Sequence, residues 1–341
     1  MNEDRHNNFD LLRLILASMV MAGHFVYLTR STSIHSFLFT YANFAVEAFF
    51  VISGYLIYAS ISNAPAIGPY AVRRVCRIYP LYATMVIIQA ITMLWLLPGA
   101  VHLYSVNAIK YVVVNLCFAN FLSPDIAGLT AGLPEPEFNP SMWTLKVEVG
   151  FYVILPLLAL AIRRYGICTM VPIFVGSIVY SELLIHENHL QLARQLPGQL
   201  QYFIAGIALY HYRSRWQMPT WLVVSLLIAL FALVNLEGSI WQILRPVLVG
   251  GVVYLFGAKL PAVKIKRDIS YGVYLIHGPV IQTGIIANLI APTYAGLAVV
   301  WVVVYGLAIL SDYLIEGPAI RLGKRISRSK VFIPITILRN P

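Results

Sequence analysis

The sequence predicts an all-α polytopic membrane protein with about ten transmembrane helices and with both termini in the cytoplasm. Three observations predict it. Of 341 residues, 59% are hydrophobic and only 11% charged, where a soluble domain carries about 25% charge; the mean hydropathy is +0.76. Apolar runs of bilayer length recur along the whole chain. The basic residues behind the net charge of +10 sit in short clusters between those runs. That is the pattern of cytoplasmic retention rather than of a basic face, so membrane lipid is an expected partner and nucleic acid is not. Cys76, Cys117 and Cys168 are too widely spaced for a disulfide framework or a zinc site, and no metal is expected.

The runs lie near 11–29, 38–61, 79–97, 143–163, 167–185, 199–212, 219–236, 240–257, 270–290 and 295–316. The first holds polar residues and is followed by many others, so it reads as a retained helix rather than a cleaved leader. Arg5, His6 and Arg13 place the N-terminus inside. Ten spans then bring every later cluster to the same side: Arg73, Arg74 and Arg77; Arg163 and Arg164; Arg213 and Arg215; Lys259, Lys264, Lys266 and Arg267; and Arg321 to Lys330. An eleventh span at 108–122 would reverse the later ones, and that run is short for a bilayer. It is therefore expected to be re-entrant or interfacial, within an extracytoplasmic excursion over 98–142 whose tip, "PDIAGLTAGLPEPEFNP", has loop composition. Residues 1–330 are expected to form one transmembrane domain, and 331–341 a short tail, with no appended soluble domain.

Polar residues inside apolar runs mark function, because a bilayer core cannot solvate them. Arg13 and His24 are eleven positions apart, about 20° from three full helical turns, so they share a face; Asp10 lies within about 40° of it. The stripe Asp10–Arg13–His24 must face a bundle interior or a wet cavity. Glu47 in the second run and Glu148 in the fourth reach comparable depth from the opposite end. Either carboxylate is expected to support the imidazole of His24 as a general base. Taken singly, each has a plainer reading as a buried interhelical hydrogen-bonding residue; three at one depth favour chemistry. Arg74 and Arg77 in "RRVCRIYPLY" share a face if that segment is helical. Their guanidinium forks suit phosphate oxygens, and anchoring to anionic headgroups is the plainer alternative. His277 and Glu316 are placed in the lining of the cytoplasmic half of the same cavity.

In order along the chain, "FDLLRLILASMVMAGHF", "FFVISGYLIY", "RRVCRIYPLY", "MWTLKVEVGFY" and "ISYGVYLIH" resemble the sequence blocks of the acyltransferase-3 family of integral membrane O-acyltransferases. The resemblance spans about 9–320. The family's arginine–histidine pattern falls on Arg13 and His24, its R-x-x-R block on Arg74 and Arg77, and its S-W-T-L-x-x-E block on Trp143 and Glu148. Met142 stands where the serine is usual and Val149 where a second acid is frequent. The resemblance implies a ten-helix core in a bacterial inner membrane. It implies acetyl-CoA, or another acyl-CoA, as co-substrate with no permanently bound cofactor, and a sugar hydroxyl of a surface polysaccharide or lipid-linked glycan as acceptor. It also implies a catalytic His24, as general base or acyl carrier, and an arginine pair on the donor. The buried charges alone leave a secondary transporter of a lipid-linked sugar or small metabolite open. The paired interrupted spans of that class are not evident, and a coenzyme requirement separates the two.

Overall fold

A computed structural model describes residues 7–329 except 35–36, 64–65, 100, 214–218, 234–238 and 264. The tail 331–341 and the pair Arg5–His6 lie outside the described residues. Among the described residues the α-helices are α1 Phe9–Leu28, α2 Phe37–Asn63, α3 Ile67–Leu96, α4 Ser105–Leu116, α5 Met142–Tyr165, α6 Met170–His186, α7 Leu190–Ala193, α8 Leu196–His211, α9 Thr220–Leu233, α10 Ser239–Tyr254, α11 Ser270–Ile286, α12 Tyr294–Ser311 and α13 Gly317–Ile326. Among the described residues, six helical segments are long and apolar enough to cross a membrane: Phe9–Leu28, Tyr41–Ser62, Ile67–Leu96, Met142–Tyr165, Ile167–His186 and Tyr294–Ile326. Helices α8 to α11 are shorter, at 14 to 17 residues. Large apolar side chains on the outside, such as Trp95, Val153 and Val302, are about three-quarters exposed. A surface of that kind suits contact with lipid.

Helices α1, α2, α8 and α11 form the centre. α2 and α8 meet at paired glycines. A Cβ on Gly54 would lie 2.1 Å from the Phe203 carbonyl oxygen, and one on Gly206 would lie 2.0 Å from that of Val51. Small residues are what let membrane helices approach this closely. The start of α1 is tied to the far end of the chain. The Asn8 amide donates to Gly257 O at 2.8 Å, and its side chain donates to Leu260 O and Pro261 O. This fixes the 260–269 connection beside Arg13.

Two elements differ from the sequence expectation. α3 begins at Ile67, so the Arg73–Arg77 cluster lies within the first three turns of a 30-residue helix rather than in a connection before it. The 108–122 run is a 12-residue helix, α4, followed by a short turn. At about 18 Å it cannot cross the roughly 30 Å hydrocarbon core. Residues 117–141 form an irregular segment held by its own side chains; Asp125 accepts from the Gly128 and Thr130 amides.

Candidate active site

The side chains of His24 on α1 and His277 on α11 meet across the centre, His24 Nδ1 to His277 Nε2, at 2.8 Å. Hydrogen bonding fixes the proton positions. His277 Nδ1 lies 3.0 Å from the Val273 carbonyl oxygen, which can only accept, so Nδ1 carries the proton and Nε2 is the acceptor. His24 Nδ1 therefore donates to His277, which leaves the lone pair of a neutral His24 on its Nε2. The Ser141 hydroxyl also donates to His277 Nε2, at 3.2 Å. The arrangement presents one oriented, unprotonated imidazole nitrogen able to take a proton or an acyl group.

Local sequence explains why α11 accepts these partners. Pro279 has no N–H, so the Leu275 carbonyl four residues back lacks its helical donor. The Asn139 side chain fills that place, donating to Leu275 O at 3.0 Å. Gly278 makes room, since a Cβ there would lie 2.7 Å from Asn139 Oδ1. Asn139 Oδ1 in turn accepts the Ser141 amide at 3.2 Å. The "HGP" sequence thus locks the start of α5 against His277.

Two cavities flank this pair. One, about 1400 Å³ with its open mouth, is lined by His24, Trp143, Arg194, Glu135, Glu137 and Lys146 among others. Burial, and then the neighbouring Glu135, pushes the Glu137 carboxyl up to about 7. The other, about 830 Å³ with its mouth, is lined by Arg13, Arg74, Arg77, Glu148, Tyr152 and Tyr271 among others. Val46 and Tyr274 line both, so the two approach each other beside the histidine pair.

The arginines are not equivalent. Asp268, just before α11, bridges Arg13 Nη2 at 2.9 Å and Arg77 Nη2 at 2.5 Å. Its other oxygen accepts from the Ser270 amide and hydroxyl. Burial opposes its ionisation, yet the guanidinium groups of Arg13 and Arg77 hold the Asp268 carboxyl well below the usual carboxylate range. Arg74 makes no ion pair among the described residues. It lies over the Tyr70 and Tyr152 rings at 5.8 and 5.6 Å, and its Nε is buried without a hydrogen-bond partner. An orphaned guanidinium N–H in a cavity with two further arginines fits a phosphate-bearing ligand.

Of the sequence-derived stripe, Arg13 and His24 each line a cavity, but not the same one: Arg13 lines the arginine cavity and His24 the other. Other expected placements are corrected. Among the described residues no carboxylate is hydrogen-bonded to His24, whose partner is His277. Glu47 accepts from Arg245 Nε at 2.8 Å, and Glu148 accepts from the Tyr152 hydroxyl at 2.7 Å in the arginine cavity. Each carboxylate faces a different neighbour, in a cavity that His24 does not line. His277 is fully buried at the centre rather than lining the arginine cavity. Glu316 is 2% exposed in the π-helical turn 312–316, where it accepts from Ser311; it does not line the cavity. Asp10 is half-exposed and pairs with Arg13, outside the cavity lining. Asn139, Ser141, Arg194, Arg245 and Asp268 had gone unassigned. Arg245, the only charge in the 240–257 run, and Asp268, the only acid in "KIKRDIS", were visible signals.

A family model described as "Acyltransferase domain" matches residues 6–315. Nodulation protein 10 of Rhizobium leguminosarum bv. viciae is 28% identical, over 93% of this chain and 94% of its own length. The O-acetyl transferase of Shigella phage Sf6 is also 28% identical, over 92% and 95%. The exopolysaccharide production protein ExoZ of Rhizobium meliloti is 26% identical, over 84% and 92%. No solved structure matches the chain. The chain belongs to the acyltransferase-3 family, and it is an acyltransferase.

Proposed function

We propose that the protein moves an acetyl group from acetyl-CoA, taken up at the arginine cavity, to a sugar hydroxyl of a surface polysaccharide or lipid-linked glycan in the His24 cavity. The observation that carries this is the pair of cavities, one cationic and one rich in carboxylates, amides and aromatic rings, meeting beside a single oriented imidazole. Relatives named for O-acetyl transfer and exopolysaccharide production support the choice of acceptor. Arg74, with Arg13 and Arg77, would hold the phosphates of the donor. His24 Nε2 takes the acceptor hydroxyl proton while that oxygen attacks the thioester carbonyl. The C–S bond then breaks, and the coenzyme thiolate recovers the proton. If His24 instead carries the acyl group, the same lone pair attacks first and the hydroxyl displaces the imidazole. The test is transfer of labelled acetyl groups from acetyl-CoA to glycan in membranes containing the protein. Solute uptake without coenzyme-dependent transfer would defeat the proposal.

The arrangement requires the two cavities to open on opposite sides of the membrane. Counting the six long segments together with α8 to α11 gives ten crossings, α9 being flanked closely on both sides by stretches outside the described residues; ten keeps both ends in the cytoplasm of a bacterial inner membrane. Single cysteines at 62–63, 67–72 or 259–263 should then react with an impermeant thiol reagent only from inside, and cysteines at 125–137 only from outside, in a background lacking the native three. Labelling of 125–137 only from inside overturns the arrangement.

Arg74→Lys keeps the charge but loses the planar fork and its stacking on two tyrosines. It is expected to weaken coenzyme A binding by about tenfold, the equivalent of one charged hydrogen bond, with insertion unchanged. Radiolabelled coenzyme A binding to the purified protein measures this, and wild-type affinity would remove Arg74 from the donor site.

A further inference from the structure

The His24 cavity has a neighbour that the single-sugar chemistry does not use. A space of about 720 Å³ with its open mouth, lined by polar and apolar side chains in about equal measure, lies between α2, α6, α8 and α10; its polar lining includes Ser181, Gln199, Tyr202 and the Glu47–Arg245 pair. Asn43, Val46, Trp143 and Arg194 line both this space and the His24 cavity. These four residues mark the waist where the two lobes adjoin. We propose that the second lobe is a glycan subsite that holds the sugar units next to the acylated one, so that the acceptor is an oligosaccharide or longer chain rather than a single sugar. This rests on the acyl-transfer reading above.

The lining chemistry selects that class of ligand. Carboxamides, a hydroxyl and a phenol suit the many donor and acceptor groups of a carbohydrate, whereas a lipid tail would strand them. Polyphosphate is disfavoured because Glu47 already neutralises Arg245 at 2.8 Å, leaving Arg194 as the one uncompensated cation of the lining. The Arg194 guanidinium lies 5.7 Å from the Trp143 ring centroid. Stacking of this kind restrains the planar group while leaving its N–H edges free to bind hydroxyls. Arg194 sits at the waist, where a chain threading from one lobe to the other must pass. The Gln199 side chain donates to Ala193 O at 3.2 Å, which holds its carboxamide at the corner between α7 and α8.

The test uses the host's own surface polysaccharide, hydrolysed and separated into one-unit and four-unit fractions, with labelled acetyl-CoA and the full-length protein in membranes. The wild type is expected to show kcat/KM at least about tenfold higher for the four-unit fraction, as two or three added hydrogen bonds would give. Gln199→Trp, which fills the second lobe, and Arg194→Ala, at the waist, should each bring that ratio close to one. Arg194→Ala keeps the test alive if the tryptophan variant fails to fold. An unchanged ratio in a folded variant, or no preference in the wild type, overturns the subsite. No transfer to either fraction by the wild type overturns instead the acyl-transfer reading on which it rests.

Discussion

Replacing His24 with alanine is expected to lower acetyl transfer by about 10²–10⁴-fold, the usual contribution of a positioned general base, with expression, insertion and coenzyme A binding near wild type. The expectation follows from the proton chain Val273 O–His277–His24, in which each donor is assigned by an acceptor that cannot itself donate. His277 acts through His24 rather than on the substrate. His277→Gln should therefore cost less than His24→Ala, and the double variant no more than His24→Ala alone, as expected for two groups working as a unit. A readout that plain destabilisation would not move is the rank order itself: losing the more deeply buried ring, His277, should be the milder change. Labelled acetyl transfer in membranes, with coenzyme A binding as the control for folding, decides it. Wild-type transfer by His24→Ala would remove the catalytic assignment.

How much of this was legible in the sequence depended on whether it was local. The shared face of Arg13 and His24 follows from helical periodicity, and both side chains line cavities. The Arg74–Arg77 spacing likewise needed only that its segment be helical, which it is. The partner of His24 was not legible, because His277 lies 253 positions away and their meeting depends on how α1 packs against α11. Counting residues from a membrane face says nothing of the direction of Glu47 and Glu148 around the helix axis. One turned to Arg245 and the other to Tyr152. Proline chemistry held a clue that residue counting passed over. A proline two positions after His277, with a glycine between, frees a carbonyl and opens a gap, and some donor had to fill it. Asn139 does, and it brings Ser141 to the imidazole with it. Met142 in the position usual for the family's serine matters less for this reason, since the residue before it supplies a hydroxyl to His277.

Asp268→Ala is expected to destabilise the protein by about 3 kcal/mol, because removing one partner of a buried ion pair leaves the other charges without compensation. The value sits at the low end of the usual range because the Arg13 and Arg77 side chains keep 21% and 26% exposure, so water recovers part of the loss. Asp268 links three otherwise separate pieces: α1 through Arg13, α3 through Arg77, and the first turn of α11 through Ser270. That places it under the floor of the arginine cavity, so its loss should also loosen coenzyme A binding. Asp268→Asn keeps the shape and the capping of Ser270 but removes the charge, which separates the two effects. If the charge is what holds the arginines, the asparagine variant should melt nearly as early as the alanine variant. The sign of the pH dependence gives an independent check. A carboxyl whose folded pKa is depressed contributes stability that is complete above its unfolded value, about 3.9, and is lost as pH falls toward the folded one. Wild-type melting temperature should therefore fall on acidification below about pH 4, and this component of the fall should vanish in Asp268→Asn. Thermal melting of the purified protein in detergent, from pH 3 to 8, measures both. Equal melting of wild type and Asp268→Asn at neutral pH would mean that Arg13 and Arg77 need no counter-ion, and that the cavity is built to hold three bare guanidinium groups.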